Sequence, residues 1–207
     1  YYSNLGGYTQ DQLTQIGNTF RSNSQIDWNA MYIANQNSAF PGRSVYVLYE
    51  DRTDDNQLSA NTILNSSISE NVSLTAGANF KKLRSHNHQN LLDLMGGQYF
   101  LDIDPFYTGN ASQSNLNNPN RQVGEGDTYG YNYLLHALTF DGFTQFKFTY
   151  DKADFYLAQS FSRSEYQREG LYKNGIYANN SYGKGEKIIF ENFGFKGGLT
   201  YKLNGRN

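Results

Sequence analysis

Three histidines, His86, His88 and His136, are all the 207-residue chain carries, and two of them stand in His86-Asn87-His88. On a strand, that spacing puts both imidazoles on one face, where they could share a metal ion. At a strand end in water the same pair is solvated loop chemistry, and the sequence leaves both readings open. A second donor set is Asp102-Ile103-Asp104 with Glu125 and Asp127 further along the same stretch. Four carboxylates offer the hard oxygens that Ca2+ takes, so the metal candidates are Asp102, Asp104, Glu125 and Asp127, against the alternative of a hydrated acidic loop. Beyond that Ca2+, no cofactor is implied. Tyr99, Phe100, Tyr107, Tyr172 and Tyr177 are the candidate ligand contacts: such rings stack on sugars or peptides, and equally build an interfacial aromatic girdle.

Catalytic sets are missing. Cysteine is absent, which removes disulfides, Cys zinc sites and Cys nucleophiles together. "GEGD" and "GKGEK" are Gly-rich but match neither the phosphate-loop nor the dinucleotide fingerprint, and read as turns. No nucleophile stands near a base, so the chain is not expected to be an enzyme. Lys plus Arg number 17 and Asp plus Glu 19; without a basic excess or stripe, nucleic acid is not an expected partner.

The elements that must position these residues are strands. Only 38% of residues are hydrophobic, yet there are 18 Tyr and 14 Phe, with a mean hydropathy of −0.71. Polar, aromatic and rich in Gly and Asn, such a chain suits long strands and hydrophilic loops. From Thr144 to Ser162 the pattern is strand, turn, strand: Gln145, Lys147 and Thr149 alternate with Phe146, Phe148 and Tyr150. Asp151–Asp154 interrupts with turn residues, and alternation resumes at Phe155. Val72 to Phe80 alternates most cleanly, with Val72, Leu74, Ala76, Ala78 and Phe80 on one face.

The chain divides accordingly. Residues 1–43 read as a loop region with one short helix, Gln10 to Phe20 capped by Thr9, while Ile26 to Ala34 fits a helix or a strand. Strands follow over 44–83, then a long loop over 84–127 with a short helical candidate at Asn90–Met95. Strands resume over 128–168, a second long loop covers 169–187, and a last strand and turn occupy 188–207, ending in Asn204-Gly205.

Short and long connections therefore alternate along about five long strands. In an up-and-down sheet, every short turn then lies on one rim and every long loop on the other. Outer-membrane barrels have short periplasmic turns and long extracellular loops; a soluble Greek-key sandwich has no reason to. The expected fold is all-β, an antiparallel up-and-down transmembrane β-barrel segment. Five strands cannot close a barrel, so an internal slice of a larger one is expected. On this reading Val72, Leu74, Phe80, Phe193, Phe195 and Leu199 face lipid, while Lys81, Lys147, Lys196 and Lys202 face water. Phe146, Tyr150, Phe155 and Tyr201, near short turns, belong to the girdle.

"NLLDLMGGQYFLDIDPF" (Asn90–Phe106), "NNPNRQVGEGDTYGYNY" (Asn117–Tyr133) and "NNSYGKGEK" (Asn179–Lys187), followed by "GFKGGLTYKLNGR", resemble TonB-dependent outer-membrane receptors of the Bacteroidota type. The resemblance runs from about Ile26 onward, in loop wording and strand order. It implies a 22-strand barrel in the outer membrane of a Gram-negative bacterium, with a plug inside. It also implies transport of a scarce small or oligomeric ligand, powered by the TonB energy-coupling complex. The partners implied are the rest of the receptor, that complex and outer-membrane lipid. No plug and no TonB-contacting segment is recognisable. The competing expectation is a secreted or surface β-sandwich binding module, lectin- or adhesin-like, with no transport role.

Overall fold

The computed structural model describes residues 9–203; the expected Asn204-Gly205 turn lies outside them. Two helices, α1 (Gln10–Ser22) and α2 (Trp28–Gln36), come first. Eight strands follow: β1 (Leu48–Ser69), β2 (Val72–Asp93), β3 (Phe100–Leu101), β4 (Gln122–Val123), β5 (Thr128–Thr149), β6 (Ala153–Gly170), β7 (Gly183–Lys184) and β8 (Ile188–Tyr201). The bulk of the molecule is antiparallel sheet. β1, β2, β5, β6 and β8 pair in chain order, which makes an up-and-down meander. Among the described residues β1 pairs only with β2 and β8 only with β6, so both flanks of the sheet are open.

Several boundaries differ from expectation. Residues 1–43 are not wholly loop. α1 has its Thr9 cap, in a reciprocal capping box with Gln12, and the ambiguous 26–34 stretch is helical because Asp27 caps it by accepting from Ala30 N. β2 does not stop near residue 83 but runs to Asp93, in register with β1 back to Leu48. Asn90–Met95 is accordingly not a helix; it is the end of β2 and a turn. The first long connection is 94–127 and the second 171–187, while β1–β2 and β5–β6 are joined by two or three residues.

Because paired residues in a sheet share a face, the register sorts the side chains. Val72 pairs Phe148, Phe148 pairs Phe155 and Phe155 pairs Leu199. Leu74–Phe146–Leu157 and Phe161–Phe193 lie on that same face, with Leu58, Ala60 and Leu64 of β1. Ser73–Lys147, Lys81–Thr139 and Ala158–Lys196 are on the other. The segregation of Val72, Leu74, Phe80, Phe193, Phe195 and Leu199 from Lys81, Lys147 and Lys196 is therefore real. Lys202, just past β8, pairs with Asp154 at 2.8 Å.

The apolar face is bare. Phe193, Phe195 and Leu199 are 72–78% exposed. The chain's accessible surface is 14957 Å2, against about 9,800 Å2 for a compact monomer of its mass. Buried apolar residues are few (Leu91, Leu94, Met95, Val123, Tyr129 and Leu134) and sit at the long-loop end.

The polar face is cross-linked by short hydrogen bonds, Thr75 to Asn65 at 3.0 Å and Asn79 to Asp141 at 3.1 Å. Two aromatic rings lie on it over glycines of the neighbouring strand: Phe143 over Gly77 and Tyr156 over Gly198. Rings laid over glycine shield backbone that no side chain covers. A Cβ at Gly77 would stand 2.5 Å from Phe143 Cε1. Gly77→Val is therefore expected to destabilise the sheet by about 1–3 kcal/mol, measured as a lower urea midpoint. Adding Phe143→Ala should recover part of that loss; no recovery would show that the ring is not what valine displaces.

Candidate functional site

Both long connections leave the same end of the sheet and are built from local capping. At the end of β2, Asp93 Oδ1 accepts from Met95 N at 2.6 Å, and Met95 and Gly96 turn the chain at φ 51° and 85°. The turn is clamped from α2. The Asn35 side chain is 2% exposed and donates to the carbonyls of Tyr46, Leu94 and Met95. Its Oδ1 accepts from Val45 N and Tyr46 N. Beyond the turn, β3 pairs β4. Phe100 packs edge-on against Tyr129, centroids 5.5 Å apart, and closes the small core of Leu91, Leu94 and Val123.

An ion pair inside the first loop positions an arginine against the second. Asp102 is 3% exposed; it accepts from Arg121 Nη2 at 2.8 Å and from Gly130 N at 2.8 Å. The Arg121 guanidinium lies over the Tyr172 ring, 5.1 Å from its centroid, and Tyr172 Oη donates to the Thr128 carbonyl at 2.8 Å. Burial raises the Tyr172 phenol above its ordinary pKa, against the opposing pull of Arg121, so the phenol stays a donor. Backbone bonds finish the docking: Leu116 N to Lys173 O at 2.7 Å and Gly175 N to Gln113 O at 2.8 Å. The expected meeting of the two loops on one rim is present.

The five ligand-contact candidates divide. Tyr107 and Tyr177 present their rings to solvent. Phe100 and Tyr172 are engaged in packing, and Tyr99 is half-buried with its carbonyl accepting from Ser44 N. Two residues outside the expected set join the exposed pair: Phe106, 90% exposed, and Ile176, 41%. The loop turn around 104–112 and the second loop meet through Gly175 N and Gln113 O, so these four apolar side chains stand on adjoining turns. The signal for Phe106 was Pro105-Phe106 within a polar loop.

The four Ca2+ candidates are not gathered. Asp102 is held by Arg121. Asp104 Oδ1 accepts from Phe106 N and Asp127 Oδ2 from Gly124 N, both local turn bonds, while Glu125 Oε1 accepts from Leu94 N across the loop. What the described residues do gather is Asp54, His86 and His88, with one ligand atom of each within 4.8 Å of the others. Sequence reasoning had the two imidazoles and missed Asp54, which only the β1–β2 register places opposite His86. His86 and His88 stack with centroids 4.1 Å apart. Burial, and then the neighbouring His86, hold His88 below the ordinary histidine pKa. His136 stands apart, paired with Glu169 at 2.9 Å.

On the polar face nearby, Asp51 accepts from Tyr131 Oη at 2.9 Å and from Gln89 Nε2 at 3.1 Å. Burial and that bond push the Tyr131 phenol up to about 12. No protein-family model and no curated protein matches the sequence.

The Asp102–Arg121 pair makes a direct test of loop docking. Arg121→Met leaves a buried carboxylate without its cation, which costs about 3–5 kcal/mol. Amides of 102–128 and 171–177 should then exchange at least tenfold faster, with those of Val72–Phe80 unchanged. Unaltered protection in both loops would mean the pair does not hold them.

Proposed function

We propose that the chain is a stretch of barrel wall, with its ligand-contacting loops, of a TonB-dependent outer-membrane receptor of the Bacteroidota type. The observation that carries this reading is the apolar band. It runs from Val72 to Phe80 on β2, about 27 Å along the strand at ~3.4 Å per residue, which at a barrel tilt of ~40° covers about 21 Å of the ~25 Å lipid-facing band of outer-membrane barrels.

Strand length supports the same reading. A transmembrane strand needs ~9–11 residues, and β1, β2 and β5 have 22 each. The surplus lies on the long-loop side, where both faces turn polar: Arg52 to Gln57 on β1 and Arg84 to Asn90 on β2. Aromatic side chains border the band, with Phe148 stacked on Phe155 at 4.4 Å and Tyr150 beside it near the short turns. Phe161 and Phe193 lie 5.0 Å apart at the other margin.

The two open flanks expose unpaired backbone, which costs several kcal/mol per group in hydrocarbon, so the wall requires further strands. A barrel wide enough to take many of them needs a plug, and opening it needs energy from outside this segment. Phe106, Tyr107, Ile176 and Tyr177 are then the ligand-contacting surface on the extracellular rim. The competing binding-module reading requires a second sheet over the apolar face; among the described residues the only other sheet is the two-residue pair β3–β4.

The full-length protein should fractionate with outer membrane and migrate faster unheated than boiled. Leu74→Lys should destabilise it in lipid vesicles by about 2–4 kcal/mol, and Thr75→Lys, one residue along, by far less. A protein soluble without detergent, indifferent to which of the two carries lysine, would sink the membrane reading.

A further inference from the structure

On the apolar side of the sheet, above the band, the side chains become polar and ionisable, and one group there resembles a ligand set. Asp54 of β1 is the direct cross-strand partner of His86 of β2, and His88 lies two residues on, on the same face. Directly opposed side chains have Cβ atoms about 4.5–5.5 Å apart, which is why three ligand atoms come within 4.8 Å of one another. An independent observation points to a ligand. His88 is 6% exposed, and its Nδ1 is buried with no hydrogen-bond partner. A buried imidazole nitrogen without a partner is costly unless something else takes its lone pair or its proton.

We propose that Asp54, His86 and His88 form a binding site for a divalent transition-metal ion of the Zn2+ class, with water completing the coordination. Two imidazoles and one carboxylate are borderline donors that suit such ions and are too few in oxygen for Ca2+. The surroundings fit. His86 Nε2 meets Asn132 Oδ1 at 2.7 Å; a ligating histidine typically donates its second N–H to such an oxygen, which orients the ring and leaves Nδ1 for the metal. Asn132 is therefore a positioning residue. Asp54 is exposed and His86 half-buried, which gives an entry path.

One neighbour opposes the ion. Arg52 donates to both Asp54 oxygens at 3.1 Å and stands opposite His88. Its guanidinium must yield the carboxylate before a dication can take it. Bound there, the ion ties the edge strand β1 to β2 close to the loop end, independently of what the receptor imports.

The test uses full-length, untagged protein in detergent, stripped with chelator and titrated with Zn2+. The wild type should bind one equivalent more than His88→Ala, and Asp54→Asn and His86→Ala should bind that equivalent at least tenfold more weakly. Asn132→Ala should weaken it about 10–100-fold, Arg52→Ala should tighten it, and His136→Ala should leave it unchanged. Co2+ in place of Zn2+ should give visible ligand-field bands that His86→Ala loses. Because His88 is buried, Asp54→Asn, altered at an exposed side chain, carries the test if His88→Ala does not fold. Equal Zn2+ stoichiometry and affinity in wild type, Asp54→Asn and His86→Ala would overturn the site.

Discussion

The molecule depends on strand register. Side chains of a strand alternate sides with a period of two, so a slip of one residue exchanges the two faces entirely. Here such a slip would bring Lys81, Lys147 and Lys196 onto the side occupied by Phe80, Phe146 and Phe195. Register is continuous over nearly the whole of β1, β2, β5, β6 and β8, with irregularities only near strand ends. Phe143 and Tyr156 add a second lock, each fitting over a glycine one strand away. The hydrogen-bonded ladder of this sheet is what keeps the two sides apart.

At the other end the chemistry changes from alternation to anchoring. The loops hold their shape with few apolar residues because a few buried polar side chains take up the backbone groups around them. Asn35 satisfies five backbone groups of 45–46 and 94–95, and Asp102 joins Arg121 to the start of β5. A buried pair of this kind adds little net stability but makes misplacement expensive, which suits loops that must present Phe106, Tyr107, Ile176 and Tyr177 in a set arrangement. The rigid part of the loop layer is thus its base, and the exposed side chains stand on its outer turns.

How much of this was legible in the sequence follows from where each strand lies. Val72–Phe80 and Phe146–Tyr150 could be read because one side is apolar and the other polar. Arg84–Asn90 could not: Arg84, His86 and His88 on one face and Ser85, Asn87 and Gln89 on the other are all polar, so the period-two signal vanishes while the hydrogen-bonded ladder continues. β1 hides its middle for the same reason, in Arg52 to Gln57. Leu91, Leu94 and Met95 mimic helical spacing, but Leu91 enters the small core and Met95 turns the chain with positive φ. For the site, His86 and His88 were visible as a same-face pair, whereas Asp54 needed the pairing register. The four loop carboxylates looked like a cluster only because they share one loop; Asp104 and Asp127 cap their own turns, Asp102 holds Arg121 and Glu125 holds the end of β2.

The central claim is that the apolar side of the sheet meets lipid and the polar side meets water. The most direct measurement is nitroxide accessibility at successive single-cysteine positions of β2 and β5 in the full-length protein reconstituted in vesicles. Labels at 72, 74, 76, 146 and 148 should collide preferentially with oxygen dissolved in the bilayer, and labels at 73, 75, 145 and 147 with a water-soluble nickel chelate. The accessibility should oscillate with a period of two from the short turns to about Phe80, and beyond it the chelate should reach both faces. Equal accessibility of the two sets to the chelate below Phe80, or protection of 72, 74 and 76 from both reagents by a covering sheet, would contradict the account.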